Sequence, residues 1–130
     1  MPLVYLDTSV LLAHVHQETR RPPAALFDAP LIASRLLDLE TWNRIHGRGA
    51  ADALGGEVTG ILARVSFVEM APPVLRFARG PWPTPVRTLD AIHLGTILFL
   101  QNEGADVRLA TYDSSMASGA RALKIPIIEA

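Results

Sequence analysis

The sequence predicts an α/β protein in three layers, with helices on both faces of a central, mainly parallel sheet of about five strands. Three observations carry that expectation. Short apolar runs alternate with longer helical stretches along the whole chain, the pattern of parallel strands joined by right-handed crossovers. Pro and Gly close several of those helical stretches, as at Pro22-Pro23, Gly47 to Gly49 and Gly104. Two apolar runs, Leu3–Leu6 and Val107–Ala110, are each followed by a short segment carrying a carboxylate and hydroxyls, Asp7-Thr8-Ser9 and Thr111-Tyr112-Asp113.

Taken in order, Leu3–Leu6 is the first strand, and Val10 to about Glu18 forms a short helix that Arg20-Arg21-Pro22-Pro23 ends. Ala24 to Phe27 makes a turn. Leu31-Ile32-Ala33, bounded by Pro30 and Ser34, reads as a buried strand feeding a helix that Ser34 caps and that holds Leu36, Leu37, Leu39, Glu40 and Ile45. The Ala-rich run from Ala50 to Val65 predicts another helix, weakened at Gly55, Gly56 and Gly60. Ser66 to Met70 is a strand, and Pro72-Pro73 open a helix reaching Ala78, since Pro is tolerated in a first turn. Gly80 to Pro85 is a stiff loop whose Trp82 either rims a binding site or packs the loop onto the core. From Thr88 to Leu100 the chain is apolar nearly all round, as in a buried helix, with Asp90 in its first turn. Val107–Ala110 is the next strand, Ser114 to Leu123 a helix, and Pro126-Ile127-Ile128 a final short edge strand.

The chain has 130 residues, 49% of them hydrophobic. One domain over residues 1–130 is expected, large enough to bury roughly two thirds of its unfolded surface. With no Cys, it has neither a disulfide framework nor a thiolate metal site, which suits a reducing cytoplasm. No apolar stretch approaches the ~18 residues of a membrane span. A formal net charge of −1 excludes nucleic-acid binding by bulk charge alone. Eleven of the twelve basic residues are nonetheless Arg, which suits phosphate contacts and equally suits a GC-rich coding sequence.

In an open parallel sheet, ligands bind outside the carboxyl ends of the strands. Asp7 and Asp113 fall at such ends, Asp90 starts a buried helix, and Glu40 lies six residues past the Ser34 cap. Each has a plainer use: Asp7, Asp90 and Asp113 as caps or turn residues, Glu40 as the partner of Arg44 on a solvated face. Asp38 competes with Glu40, because the two point about 200° apart on a helix. Four carboxylates at one edge cannot all stay ionised uncompensated, so either protons or a cation must be bound. Oxygen donors without Cys select a hard ion, Mg²⁺ or Mn²⁺, which lowers the pKa of water and neutralises charge on phosphorus.

These residues resemble the PIN-domain ribonucleases, and among them the VapC-type toxins of toxin–antitoxin pairs. Tyr5 to Leu12, Ser34 to Glu40 with Arg44, Arg87 to Leu94, and Thr111 to Asp113 are similar to the family's four motifs, so the resemblance spans nearly the whole chain. It implies a Mg²⁺- or Mn²⁺-dependent endoribonuclease that inhibits translation or growth, with an RNA substrate, a cognate antitoxin protein and a homodimeric state; the cytoplasmic location expected of the chain rests on its lack of Cys and of a membrane span. It also implies that Asp7, Glu40, Asp90 and Asp113 are catalytic and selects Glu40 over Asp38. Asp7, Asp90 and Asp113 would hold the metal, and Glu40 would orient water there. Thr8, Ser9 and Thr111 would hydrogen-bond the carboxylates or their waters.

His93, three residues past Asp90, is either a base or a hydrogen-bonded core residue, and the core role is the expectation. Arg35, Arg44, Arg87 and Arg121 are candidate RNA contacts, each with a structural alternative. The chain departs from the family at Ser114-Ser115, where basic residues are common, at Gly95 and Gly119, which replace Ala, and at Lys124, which replaces a helix-ending Gly. The Ser114-Ser115 change leaves open a catalytically weak PIN-like binding or scaffold protein. A phosphotransfer receiver or phosphatase is disfavoured, because Ser9 stands where its second acid would be and no Lys is placed near the acids, the only one being Lys124.

Overall fold

Four parallel strands in the order β3-β2-β1-β4 form the sheet of the computed structural model, which describes residues 2–128. In sequence the elements are β1 (Leu3–Leu6), α1 (Thr8–Val15), a 3-10 turn (Ala24–Asp28), β2 (Leu31–Ser34), α2 (Leu36–Gly47) and α3 (Ala51–Leu62). Then come β3 (Val65–Val68), α4 (Pro72–Ala78), α5 (Thr88–Asn102), β4 (Val107–Ala110) and α6 (Ser114–Ala122). Helices α1, α2 and α3 pack together, as do α4, α5 and α6, which gives the expected three layers. Among the described residues no helix is long and apolar enough to cross a membrane.

Because every pairing is parallel, all strand ends face the same way. The chain steps outward from β1 to β2 and β3, then crosses back to place β4 on the other side of β1. A crevice therefore opens beyond the end of β1, where the winding reverses. The register sets its contents: Leu6 stands beside Ala110, so Asp7 and Thr111 leave the sheet side by side.

The strand count is four rather than five. Ile127 makes a single parallel bridge to Leu109, closed by Leu109 N–H to Pro126 O and Ile128 N–H to Leu109 O. Pro126 has no N–H to extend the ladder. Two helix boundaries also differ from expectation. Helix α1 begins at Thr8 because Asp7 caps it, and ends at Val15, with Gln17 at φ +49°. The Ala-rich helix stops at Leu62, and Val65 already belongs to β3. Trp82 packs its loop against the core.

One of the departures from the family has a local cause, and another carries a local cost. A Cβ on Gly95 would lie 2.6 Å from the Ala78 nitrogen, so α4 rests on α5 through a glycine. Lys124 adopts φ +59°, the left-handed conformation that glycine takes at lowest cost after a helix. The close approach at Gly95 is with backbone, which cannot rotate away. Gly95→Ala is accordingly expected to lower stability by about 1–3 kcal/mol in urea unfolding. Gly56→Ala, in open space on α3, should stabilise by about 0.4–1 kcal/mol.

Candidate active site

Asp7, Glu40, Asp90 and Asp113 line one cleft of about 290 Å³, with Arg44 and Arg87 also in its walls. The carboxylates arrive on different elements. Asp7 follows β1, Glu40 projects from α2, Asp90 from the first turn of α5, and Asp113 precedes α6. Asp7 is 6% exposed, Glu40 and Asp90 are half-buried, and Asp113 is exposed, so the acids run from the floor to the rim.

Asp7 is both a helix cap and a cleft residue. Its Oδ2 accepts from Ser9 Oγ at 2.5 Å, from Thr111 Oγ1 at 2.8 Å and from Ser9 N–H at 3.4 Å. Asp113 divides its oxygens in the same way. Oδ1 caps α6 by accepting from Ser115 N–H at 2.8 Å and Met116 N–H at 3.1 Å. Ser9 and Thr111 link the two strand ends: Ser9 Oγ accepts from Tyr112 N–H at 2.9 Å, and Thr111 Oγ1 accepts from Asp113 N–H at 3.0 Å.

Glu40 is held through Oε1, which accepts from Thr8 Oγ1 at 3.0 Å and meets His93 Nε2 at 2.6 Å. Behind His93, which is 1% exposed, Nδ1 lies 2.7 Å from the Tyr5 hydroxyl, and that hydroxyl accepts from Ser34 N–H at 3.0 Å. One assignment satisfies every atom. Tyr5 donates to Nδ1, and Nε2–H donates to Glu40. Burial pushes the Tyr5 pKa far above its usual value, so this hydroxyl stays a donor.

Asp7, Glu40 and Asp113 thus each commit one oxygen to protein donors, and among the described residues no donor reaches the other. Asp90 has no hydrogen-bond donor among the described residues. Burial, with Asp113 and Asp7 nearby, pushes its carboxyl above the usual carboxylate range, against the opposing influence of His93 and Arg87. The donor set fits a hard cation: all oxygen, one free atom on each anchored acid, and one acid whose ionised form is disfavoured by burial and by its neighbours. Among the described residues, however, no three His, Cys, Asp or Glu side chains are already gathered close enough to hold an ion. The carboxylates share a cleft without converging on a point.

The remaining candidates separate clearly. Arg44 and Arg87 belong to the cleft, while Arg121 lines a smaller neighbouring one with Arg20 and Asp113. Arg35 faces elsewhere. It is bound to Glu69 at 2.7 Å, reaches Asp38 at 4.0 Å and lies over the Phe67 ring at 4.2 Å. That pairing holds the Glu69 carboxyl below its usual range, and it takes Asp38 away from the cleft. Tyr5 is the residue that sequence reasoning missed. The available signal was a lone hydroxyl inside an apolar strand, since a buried phenol requires a partner.

No protein-family model matches the chain. Individual proteins do. Over 132 aligned residues it is 30% identical to Ribonuclease VapC46 of Mycobacterium tuberculosis, an alignment covering 98% of this chain and 98% of that protein. It is 28% identical to Ribonuclease VapC35 of the same species, over 97% of this chain and 96% of the relative. A relationship of that extent leaves no part of the fold outside it, and the chain belongs to the VapC-type family of PIN-domain ribonucleases.

Proposed function

We propose that this protein is a Mg²⁺- or Mn²⁺-dependent endoribonuclease, the toxin of a toxin–antitoxin pair, which inhibits translation or growth by hydrolysing RNA phosphodiesters. A cognate antitoxin protein, a homodimeric state and a cytoplasmic location complete the reading. The full-length relatives bear the name ribonuclease. The observation that carries the chemistry is the division of labour in the cleft, where three acids are each fixed by one oxygen and free at the other.

A divalent cation bound there would supply Lewis acidity at phosphorus and lower the pKa of water. Asp7, Asp90 and Asp113 would hold it. Glu40, fixed by Thr8 and His93, presents its free oxygen to the cleft and orients the attacking water. Arg44 and Arg87 supply the only positive charge among the cleft's lining residues, suited to the phosphate oxygens. Thr8, Ser9 and Thr111 hold the carboxylates in place, and such supporting partners are typically worth about 10- to 100-fold in metal affinity or activity.

The purified protein with Mn²⁺ should cleave single-stranded RNA, and Asp90→Asn should lose at least ~100-fold of that rate, the loss of a ligand exceeding that of a supporting residue. No cleavage by the parent protein, together with no Mn²⁺ binding, would favour a PIN-like scaffold instead. His93→Leu should lower kcat roughly 10- to 100-fold, and His93→Gln, which retains a donor, should recover part of it. A third expectation concerns pH. Without divalent cation, Asp90→Asn should melt above the parent at pH 7, because folding penalises the ionised carboxylate. That difference should close below the ordinary value of 3.8, where Asp90 is protonated in folded and unfolded chains alike. Added Mn²⁺ should raise the melting temperature of the parent but not of the variant.

A further inference from the structure

A larger groove, about 730 Å³, lies beside the acid cleft and shares Ser9 and Arg44 with it. Arg20, Arg44 and Arg48 line it, and Glu18 is the one acid among its lining residues. All three Arg are exposed, and among the described residues none has a carboxylate within the 4.0 Å of an ion pair. Arg44 and Arg48 stand one turn apart at the end of α2. The helix dipole favours cations there, but like charges at that spacing repel each other. Arg20 comes from the segment after α1 and lies 4.4 Å over the Tyr112 ring, which supports the guanidinium plane from behind. The result is a wall of three arginines against one acid among its lining residues, opening into a cleft lined with carboxylates.

We infer that this groove is the track for single-stranded RNA on one side of the scissile bond, with Arg20, Arg44 and Arg48 holding successive phosphates. The inference rests on the ribonuclease reading of the adjoining cleft. Continuity favours RNA over an acidic peptide, because a strand whose phosphodiester reaches the acids must leave the cleft, and the shared residues Ser9 and Arg44 form that exit. The exposed guanidinium of Arg20 also offers a base a plane to stack on. Recognition then covers several nucleotides, which separates binding strength from the chemistry at the acids. It also places positive charge near the site from helix α2 and the segment after α1, in a chain that lacks basic residues directly after Asp113.

The test measures binding without cleavage, using a fluorescent 2′-O-methyl RNA octanucleotide and EDTA, by anisotropy across a salt series. Arg20→Gln combined with Arg48→Gln should weaken binding roughly tenfold and reduce the slope of log K against log salt by about 1.4, or about 0.7 for each phosphate that is no longer neutralised. Arg64→Gln removes one charge at the start of β3, away from the groove, and should leave the slope unchanged. If the double variant does not fold, Arg48→Gln alone should reduce the slope by about 0.7. A wild-type slope in the Arg20/Arg48 variants, or an equal per-charge effect in Arg64→Gln, overturns the proposal. Tighter binding of an oligoglutamate peptide than of the RNA also overturns it, in favour of a protein partner. Cleavage with Mn²⁺ is scored separately: RNA held in the groove without cleavage removes the ribonuclease reading alone, and cleavage with an unchanged slope removes the groove alone.

Discussion

The hydrogen bonds running from the Ser34 amide through Tyr5 and His93 to Glu40 are the constraint on which the site depends. They join β2, β1, α5 and α2, which are far apart in sequence, through Ser34, Tyr5 and His93, almost wholly withdrawn from water, to a half-buried Glu40. A buried polar group without a partner costs about 1–3 kcal/mol, so each link requires the next. Rotating α5 about its axis would strand the Tyr5 hydroxyl, and sliding α2 would strand His93. The same register that satisfies these atoms brings Asp90 and Glu40 to one cleft. Packing of α4 against Gly95 holds α5 from its other side.

A carboxylate has two oxygens, and the molecule treats them separately. At Asp7 and Asp113 one oxygen performs the capping that any helix start demands, and the other remains for the cleft. Capping and site chemistry are therefore compatible uses of one side chain. The cap fixes the carboxylate's orientation before any ligand arrives. Asp90 lacks such anchorage, and burial together with Asp113 and Asp7 disfavours its ionised form.

Much of this was legible in the sequence for a simple reason. Strand ends in a parallel sheet share one edge, so Asp7 and Asp113 could be brought together from the apolar runs before them, and the all-apolar helix after Arg87 placed Asp90 inside. Failures arose where tertiary contacts override local pattern. Pro126 and Ile127 read as a strand, but a ladder needs successive donors. Val65 read as helical, but it has a sheet partner in Leu31. Arg35 is one candidate among similar arginines until its contacts with Glu69 and Phe67 are known, and nothing local in the sequence distinguishes it from Arg44. The choice of Glu40 over Asp38 rested on resemblance, and its physical basis is a contact with His93, fifty-three residues away.

The chain of hydrogen bonds has one further property, which lies in where it ends. Tyr5 and His93 have the look of a proton wire leading inward from Glu40. The last member is a backbone amide, which neither takes up nor releases a proton under ordinary conditions, so the wire has no second terminal. Any proton that reaches Glu40 must leave through the opening by which it came.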